Sequence, residues 1–193
     1  MTMIQAFLQQ IYPVEDAILE AYLSHWRPYT VPKKTIMTAP GEVERYMYFV
    51  IKGIQKSYYL DDHKQHVIAF AYPPSFSGIP ESFFNQSPSR YFLETLTDIH
   101  FLRLPYEQHQ QLLTEHRPIE TLFRKATEAF LTGVLQRLHE LMAHDMETRF
   151  RDFVQRSPHL LQMVAQKDLA SNLRMDSCNF SKLMNRNPIQ PRP

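Results

Sequence analysis

Near the end of the chain, Ser177, Cys178, Asn179, Lys182 and Arg186 fall within ten residues of one another. Phe180 and Leu183 recur between them at helical spacing. Such a stretch puts its small polar and basic side chains on one outward face and its apolar ones inward. Small hydrogen-bonding groups beside two cations suit base edges and phosphates. The preceding residues, from Gln166 to Leu173, predict a partner helix. Leu169, Ala170 and Leu173 share one face, and Ala170 is small where a second helix must cross closely. Lys167 adds a cation for a phosphate contact. Between the helices, Arg174 stands where such a turn usually holds a left-handed glycine. Met175 is expected to plug the turn, and Asp176 to cap the second helix through its carboxylate. Two short helices with a polar, basic second one, Asp176 to Asn187, predict a helix-turn-helix whose second member enters a DNA major groove.

Other chemistries find little support. No nucleophile–base spacing, metal-ligand cluster or phosphate-binding Gly-rich loop occurs, so an enzyme is not expected. A single cysteine, Cys178, excludes an internal disulfide framework and a four-cysteine cluster. His63, His66 and His100 have no partners at distinctive spacing and are read as surface histidines. No metal site and no cofactor are assigned.

At 193 residues with 44% hydrophobic composition, the chain can bury one sizeable domain and a small one. No apolar run approaches a membrane span, and Met1 to Ile11 lacks the pattern of a signal peptide, so a cytoplasmic protein is expected. Charge is uneven. From Met146 onward, eight Lys/Arg face four Asp/Glu, a net +4, so the remainder of a chain that totals +1 carries −3. A basic end on an acidic body favours phosphate attraction by the end alone.

The elements that must position these residues are legible in the periodicity. Val14 to Trp26 forms a helical stripe. Thr35–Thr38, Tyr46–Ile51, Ile54–Leu60, Val67–Tyr72, Tyr91–Leu96 and His100–Leu104 are β-rich runs. They are divided by Pro40-Gly41, Lys52-Gly53, Asp61-Asp62 and Pro73-Pro74. Many short strands in series predict an antiparallel roll. Pro105 to His116 reads as helix. Pro118 then starts a long helix with two apolar stripes, Ile119, Phe123, Ala126, Phe130, Val134, Leu138 and Leu141, and Leu122, Leu131, Leu135 and Met142. Two stripes predict two partners, the β domain and the same helix of a second copy; the alternative is a helix buried on both sides within one monomer. Phe123, Phe130, Val134, Leu138 and Leu141 are the expected dimer interface. Thr148 to Arg156 is a further helix, and the prolines of the terminal residues 187–193 are expected to end the last helix in a disordered tail.

The order of roll, long helix and helix-turn-helix resembles the cyclic-AMP receptor/fumarate-nitrate (CRP/FNR) family of bacterial regulators. The resemblance rests on Glu44 to Gly53, similar to the family's x-x-x-Y-F-I-x-x-G hairpin. It continues in Phe76-Ser77-Gly78 with Ser89-Arg90-Tyr91, at the place of the family's phosphate cassette, and in Gln166 to Leu183. It implies an α+β fold: an N-terminal double-stranded β-helix or jelly roll of the cyclic nucleotide-binding type (1–117), a dimerisation helix (118–145) and an all-α helix-turn-helix domain (146–193) without room for a full wing.

The resemblance also implies a ligand site at Gly78, Glu81, Ser82, Arg90 and Tyr91. In nucleotide-binding members a Gly-Glu pair opens the cassette and an Arg followed by Ser or Thr neutralises the phosphate. Gly78 and Arg90 match; Ile79 replaces the Glu, Tyr91 follows the Arg, and Pro80 lacks an N–H. Cyclic AMP is therefore not the expected effector, and none is named. On the reading helix, Ser177 and Cys178 replace the family's early Arg and Glu, and Lys182 stands where a later Arg would. The implied function is a homodimeric regulator with double-stranded DNA as partner and a small-molecule effector of the roll. The alternative is a ligand-binding or protein-interaction roll whose helix-turn-helix no longer binds DNA.

Overall fold

The structure, a computed structural model, describes residues 1–186, and the expected helix stop and tail at residues 187–193 lie outside them. Two compact units divide the chain. The first is Met1–Tyr59 with Ala69–Leu131; the second is Leu60–Ile68 with the chain from Thr132 onward.

In the first unit, α1 (Met3–Ile11) and α2 (Asp16–Leu23) precede β1 (Arg27–Val31), β2 (Ile36–Thr38), β3 (Tyr46–Lys52) and β4 (Gln55–Asp61). Then come β5 (Lys64–Ala71), β6 (Ser75–Ser77), α3 (Pro80–Asn85), β7 (Phe92–Thr95), β8 (Ile99–Pro105), α4 (Tyr106–Glu115) and the start of α5 (Arg117–Ala143). The strands form two four-stranded sheets, β1-β8-β3-β6 and β2-β7-β4-β5, the antiparallel roll that the β-rich runs predict.

Alternation on β3 explains how one strand serves two cores. Met47 and Phe49 pack with Leu104 and with Ile4, Leu19, Tyr22, Ile119, Leu122 and Phe123 from the helices. Tyr48 and Val50 turn the other way, to Val31, Ile99 and Phe101. The Lys52-Gly53 turn requires its glycine. Gly53 has φ +98, and a Cβ there would lie 2.6 Å from the Asp98 carbonyl oxygen.

The second unit holds the tip of the β4–β5 hairpin, the rest of α5, α6 (Met146–Arg156), α7 (Leu160–Met163), α8 (Gln166–Asn172) and α9 (Ser177–Arg186). Asp145 caps α6 by accepting from the Thr148 N–H at 2.8 Å. Phe150 meets Phe180 edge-on at 5.6 Å, with Leu169, Leu173 and Phe180 wholly buried. Among the described residues, no helix is long and apolar enough to cross a membrane.

Candidate functional site

The α8–α9 pair is built as the spacing predicts. Leu169, Ala170, Leu173, Phe180 and Leu183 are buried together. Arg174 adopts φ +53, the left-handed turn position, and its N–H bonds to the Ser171 carbonyl at 3.1 Å while Met175 N–H reaches the Ala170 carbonyl at 3.0 Å. These bonds satisfy carbonyls that the end of α8 would otherwise leave free. They offset the ~1 kcal/mol that a non-glycine residue meets there. Met175 is half-buried in the turn. Asp176 caps α9, its Oδ1 accepting from the Asn179 N–H at 2.8 Å.

The outward face of α9 carries Ser177, Cys178, Lys182 and Arg186, all exposed, and Lys167 is exposed in the first turn of α8. Asn179, half-buried, and Arg186 carry further features. The Asn179 amide donates to Asp176 Oδ2 at 2.7 Å, so it serves the cap instead of standing free for a base edge. Arg186 lies 3.6 Å from Glu147, but both are largely exposed, so water and salt weaken the pair.

The exposed apolar surface of α5 begins later than the stripes suggest. Ile119, Leu122 and Phe123 are buried in the first unit. Phe123 packs against Tyr22, Phe76 and His109 with centroids at 5.5, 5.6 and 4.6 Å. It is a core residue and not part of an open face, which corrects its place in the expected interface. Phe130, Leu131, Val134, Leu135, Leu138 and Met142 are exposed at 45–79%. Leu141 is half-buried.

The cassette lies in the first unit at Gly78 to Tyr91, and its polar groups answer one another. Gly78 has φ +139, and a Cβ on it would lie 3.9 Å from the Glu44 Cγ. Glu44 itself is 2% exposed. Its Oε2 accepts from the Thr38 hydroxyl at 2.8 Å and its Oε1 from the Tyr46 N–H at 3.3 Å. Burial raises the carboxyl above its ordinary range, against the opposing pull of Thr38 and of the Tyr46, Arg45 and Ile79 backbone N–H groups. Burial, and after it the charge of Glu44, push the Tyr48 phenol up as well.

Ser82 departs from its expected role as a ligand contact. It is wholly buried; its hydroxyl accepts from the Glu44 N–H at 2.9 Å and donates to the Ser87 carbonyl at 2.6 Å, tying α3 to the segment before β3 and to its own following loop. Ile79 is buried as the cap residue of α3, with Pro80 at the first helical position. Glu81 and Arg90 face each other in a two-bond pair, Nε to Oε1 at 3.2 Å and Nη2 to Oε2 at 3.0 Å. The Arg90 guanidinium also stands 5.6 Å from the Tyr91 ring centre. Sequence reading missed Glu44, because a carboxylate just before a strand reads as a turn residue; only the fold brings it to Gly78.

Among the described residues, no group of three or more His, Cys, Asp or Glu is placed to hold a metal ion.

A β-roll with a cassette helix, a long helix and a capped helix-turn-helix make up the described residues. Residues 29–116 match the family model of the cyclic nucleotide-binding domain. Solved structures with this fold include FixK2 from Bradyrhizobium japonicum, at 16% identity over 83% of each chain and a TM-score of 0.71. The c-di-GMP-responsive global regulator CLP of Xanthomonas campestris is 19% identical over 89% of this chain and 91% of its own, with a TM-score of 0.66. The catabolite activator protein of Thermus thermophilus is 14% identical over 93% and 85%, with a TM-score of 0.58. No curated protein matches by sequence. The chain carries a roll of the cyclic nucleotide-binding type, and its fold is that of these solved structures.

Proposed function

We propose that the chain is a homodimeric, DNA-binding transcription regulator of the cytoplasm. The observation that carries this reading is the outer face of α9, where Ser177, Cys178, Lys182 and Arg186 stand exposed over a fully apolar seam. In this reading Ser177 and Cys178 meet base edges in the major groove, and Lys167, Lys182 and Arg186 meet phosphates. Asn179 acts by holding the cap that orients the start of α9. The exposed α5 residues Phe130, Val134, Leu135 and Leu138 pair with the same residues of a second copy, setting the two readers on successive half-sites.

The roll senses through something other than a cyclic nucleotide phosphate. Arg90 already has the Glu81 carboxylate, and the buried Glu44 carboxylate takes the Ile79 backbone N–H next to Gly78, a donor that an incoming anion would need. Any effector of the Gly78–Tyr91 region would act by differential binding to two states of the dimer.

Selection of genomic DNA by the purified chain at two salt concentrations tests the reading. A two-fold-symmetric site with half-sites about one helical turn apart is the expected result. Recovery of salt-sensitive, sequence-independent binding alone would replace it with the roll-module reading.

A further inference from the structure

Strand β5 is the edge of its sheet, and an edge strand leaves alternate backbone groups without a strand partner. In the second unit, α8 supplies partners for them. The Val67 N–H donates to the Ser171 hydroxyl oxygen at 3.0 Å, and that hydroxyl donates to the Gln65 carbonyl at 3.0 Å. One side chain thus closes two backbone groups two residues apart, as a neighbouring strand would. The Asn172 amide donates to the Ile68 carbonyl at 2.9 Å and lies 3.5 Å from the Val67 carbonyl.

The chain of bonds continues inward. Arg137 Nη2 donates to the Asn172 main-chain carbonyl at 2.6 Å and to its Oδ1 at 3.2 Å. Arg137 then meets Glu140 at 3.4 Å, and Glu140 meets Arg156 at 3.0 Å. Ser171 and Asn172 are the last two residues of α8, directly before the Leu173–Met175 turn that sets the angle of α9. Serine and asparagine favour helix ends where their side chains have hydrogen bonds to make, and here those bonds run to the hairpin.

We propose that Ser171 and Asn172 form a latch between the hairpin tip, Leu60–Ile68, and the helix-turn-helix. The tip is then a positioning part of the DNA reader. By fixing the last turn of α8, the latch holds α9 in one orientation before DNA arrives and removes an ordering cost from binding. Its DNA consequence rests on the reading of α9 given above; the latch itself does not.

The test is amide hydrogen exchange on the full chain, with Ser171→Val against Ser171→Thr, which differ in the hydroxyl but hardly in volume. In Ser171→Val the Val67 amide and the amides of α9 are expected to exchange about tenfold faster, with Leu169 and Leu173 still protected. Ser171→Thr is expected to restore slow exchange. Unchanged exchange at Val67 or at α9 in Ser171→Val overturns the latch, as does acceleration in Ser171→Thr equal to that in Ser171→Val. Affinity for a selected site is expected to fall about tenfold in Ser171→Val and Asn172→Ala. Unchanged or higher affinity overturns the positioning role. Failure of the unsubstituted chain to bind any DNA would instead overturn the regulator reading, leaving the latch to be judged by exchange alone.

Discussion

Glu81 holds Arg90 by two parallel bonds, at 3.2 and 3.0 Å. A bidentate carboxylate satisfies the guanidinium with the geometry a phosphate would use. Titration calorimetry with cyclic AMP and cyclic GMP is therefore expected to give no saturable heat, and neither nucleotide to raise the thermal midpoint. Saturable binding that Arg90→Ala abolishes would reverse the assignment.

Glu44 makes a prediction with a definite sign. Its folded carboxyl is raised above the ordinary 4.5 by burial. The folded state therefore holds the proton more tightly than the unfolded chain, and stability from this group falls as pH rises from 4.5 through the folded value. Glu44→Gln keeps a neutral side chain that can still meet Thr38 and the Tyr46 N–H. Denaturant unfolding at a series of pH values is expected to show this variant at least as stable at neutral pH, with that part of the slope removed. Glu44→Ala strands the partners and is expected to cost about 1–3 kcal/mol.

His109 acts with the opposite sign. Burial lowers it to about 4, with its Nδ1 3.2 Å from the Tyr22 hydroxyl. An unfolded histidine titrates near ~6.5, so stability is present above that value and is lost as pH falls toward the folded one, about 3 kcal/mol in all. In His109→Gln, unfolding measured between pH 4 and 7 is expected to lose this slope. The Glu44 variant retains it, which separates two groups whose windows overlap above pH 4.5.

Lys182 and Arg186 test the reading face. Replacing both by Ala is expected to weaken DNA binding and to reduce the slope of log affinity against log salt by nearly 2 per protomer, nearly 4 for the dimer, since each phosphate contact contributes close to 0.9. Filter binding at several salt concentrations measures it; an unchanged slope would place the contact surface elsewhere.

The long helix gives a contrast within one element. Leu135 and Leu138 are 57% and 51% exposed, whereas Phe123 is 8% exposed in the core. Leu135→Glu with Leu138→Glu is expected to yield a folded monomer by sedimentation. Phe123→Ala is expected to cost about 3–5 kcal/mol in unfolding experiments.

Much of this architecture was open to reading from residue spacing. The β-rich runs, the long helix and the α8–α9 pair all depend on contacts near in sequence or on strict periods, down to the left-handed Arg174. Lys52-Gly53 reads as a hairpin turn, but β3 and β4 belong to different sheets, so it is a crossing between sheets. What escaped depends on distant partners. β1 (Arg27–Val31) lacks an alternating pattern, and its exposed residues join the sheet through β8. α1 carries a capping box, Thr2 with Gln5, that passed unread beside the question of a signal segment. Phe123 lies on the same stripe as Phe130, and no period could say where along α5 the core ends. At the site, Gly78 and Arg90 were visible as letters; the carboxylates that answer them, Glu44 above all, come from 34 residues earlier in the case of Gly78 and needed the fold.

Cys178 is the one thiol of the sequence and it is exposed at the start of α9. A thiol-directed reagent therefore marks each molecule once, on the face assigned to DNA. The alkylation rate of that single sulfur becomes an occupancy meter. Whatever covers the face, cognate site or protein surface, slows the reaction in proportion to the time it stays bound, with no label designed into the chain.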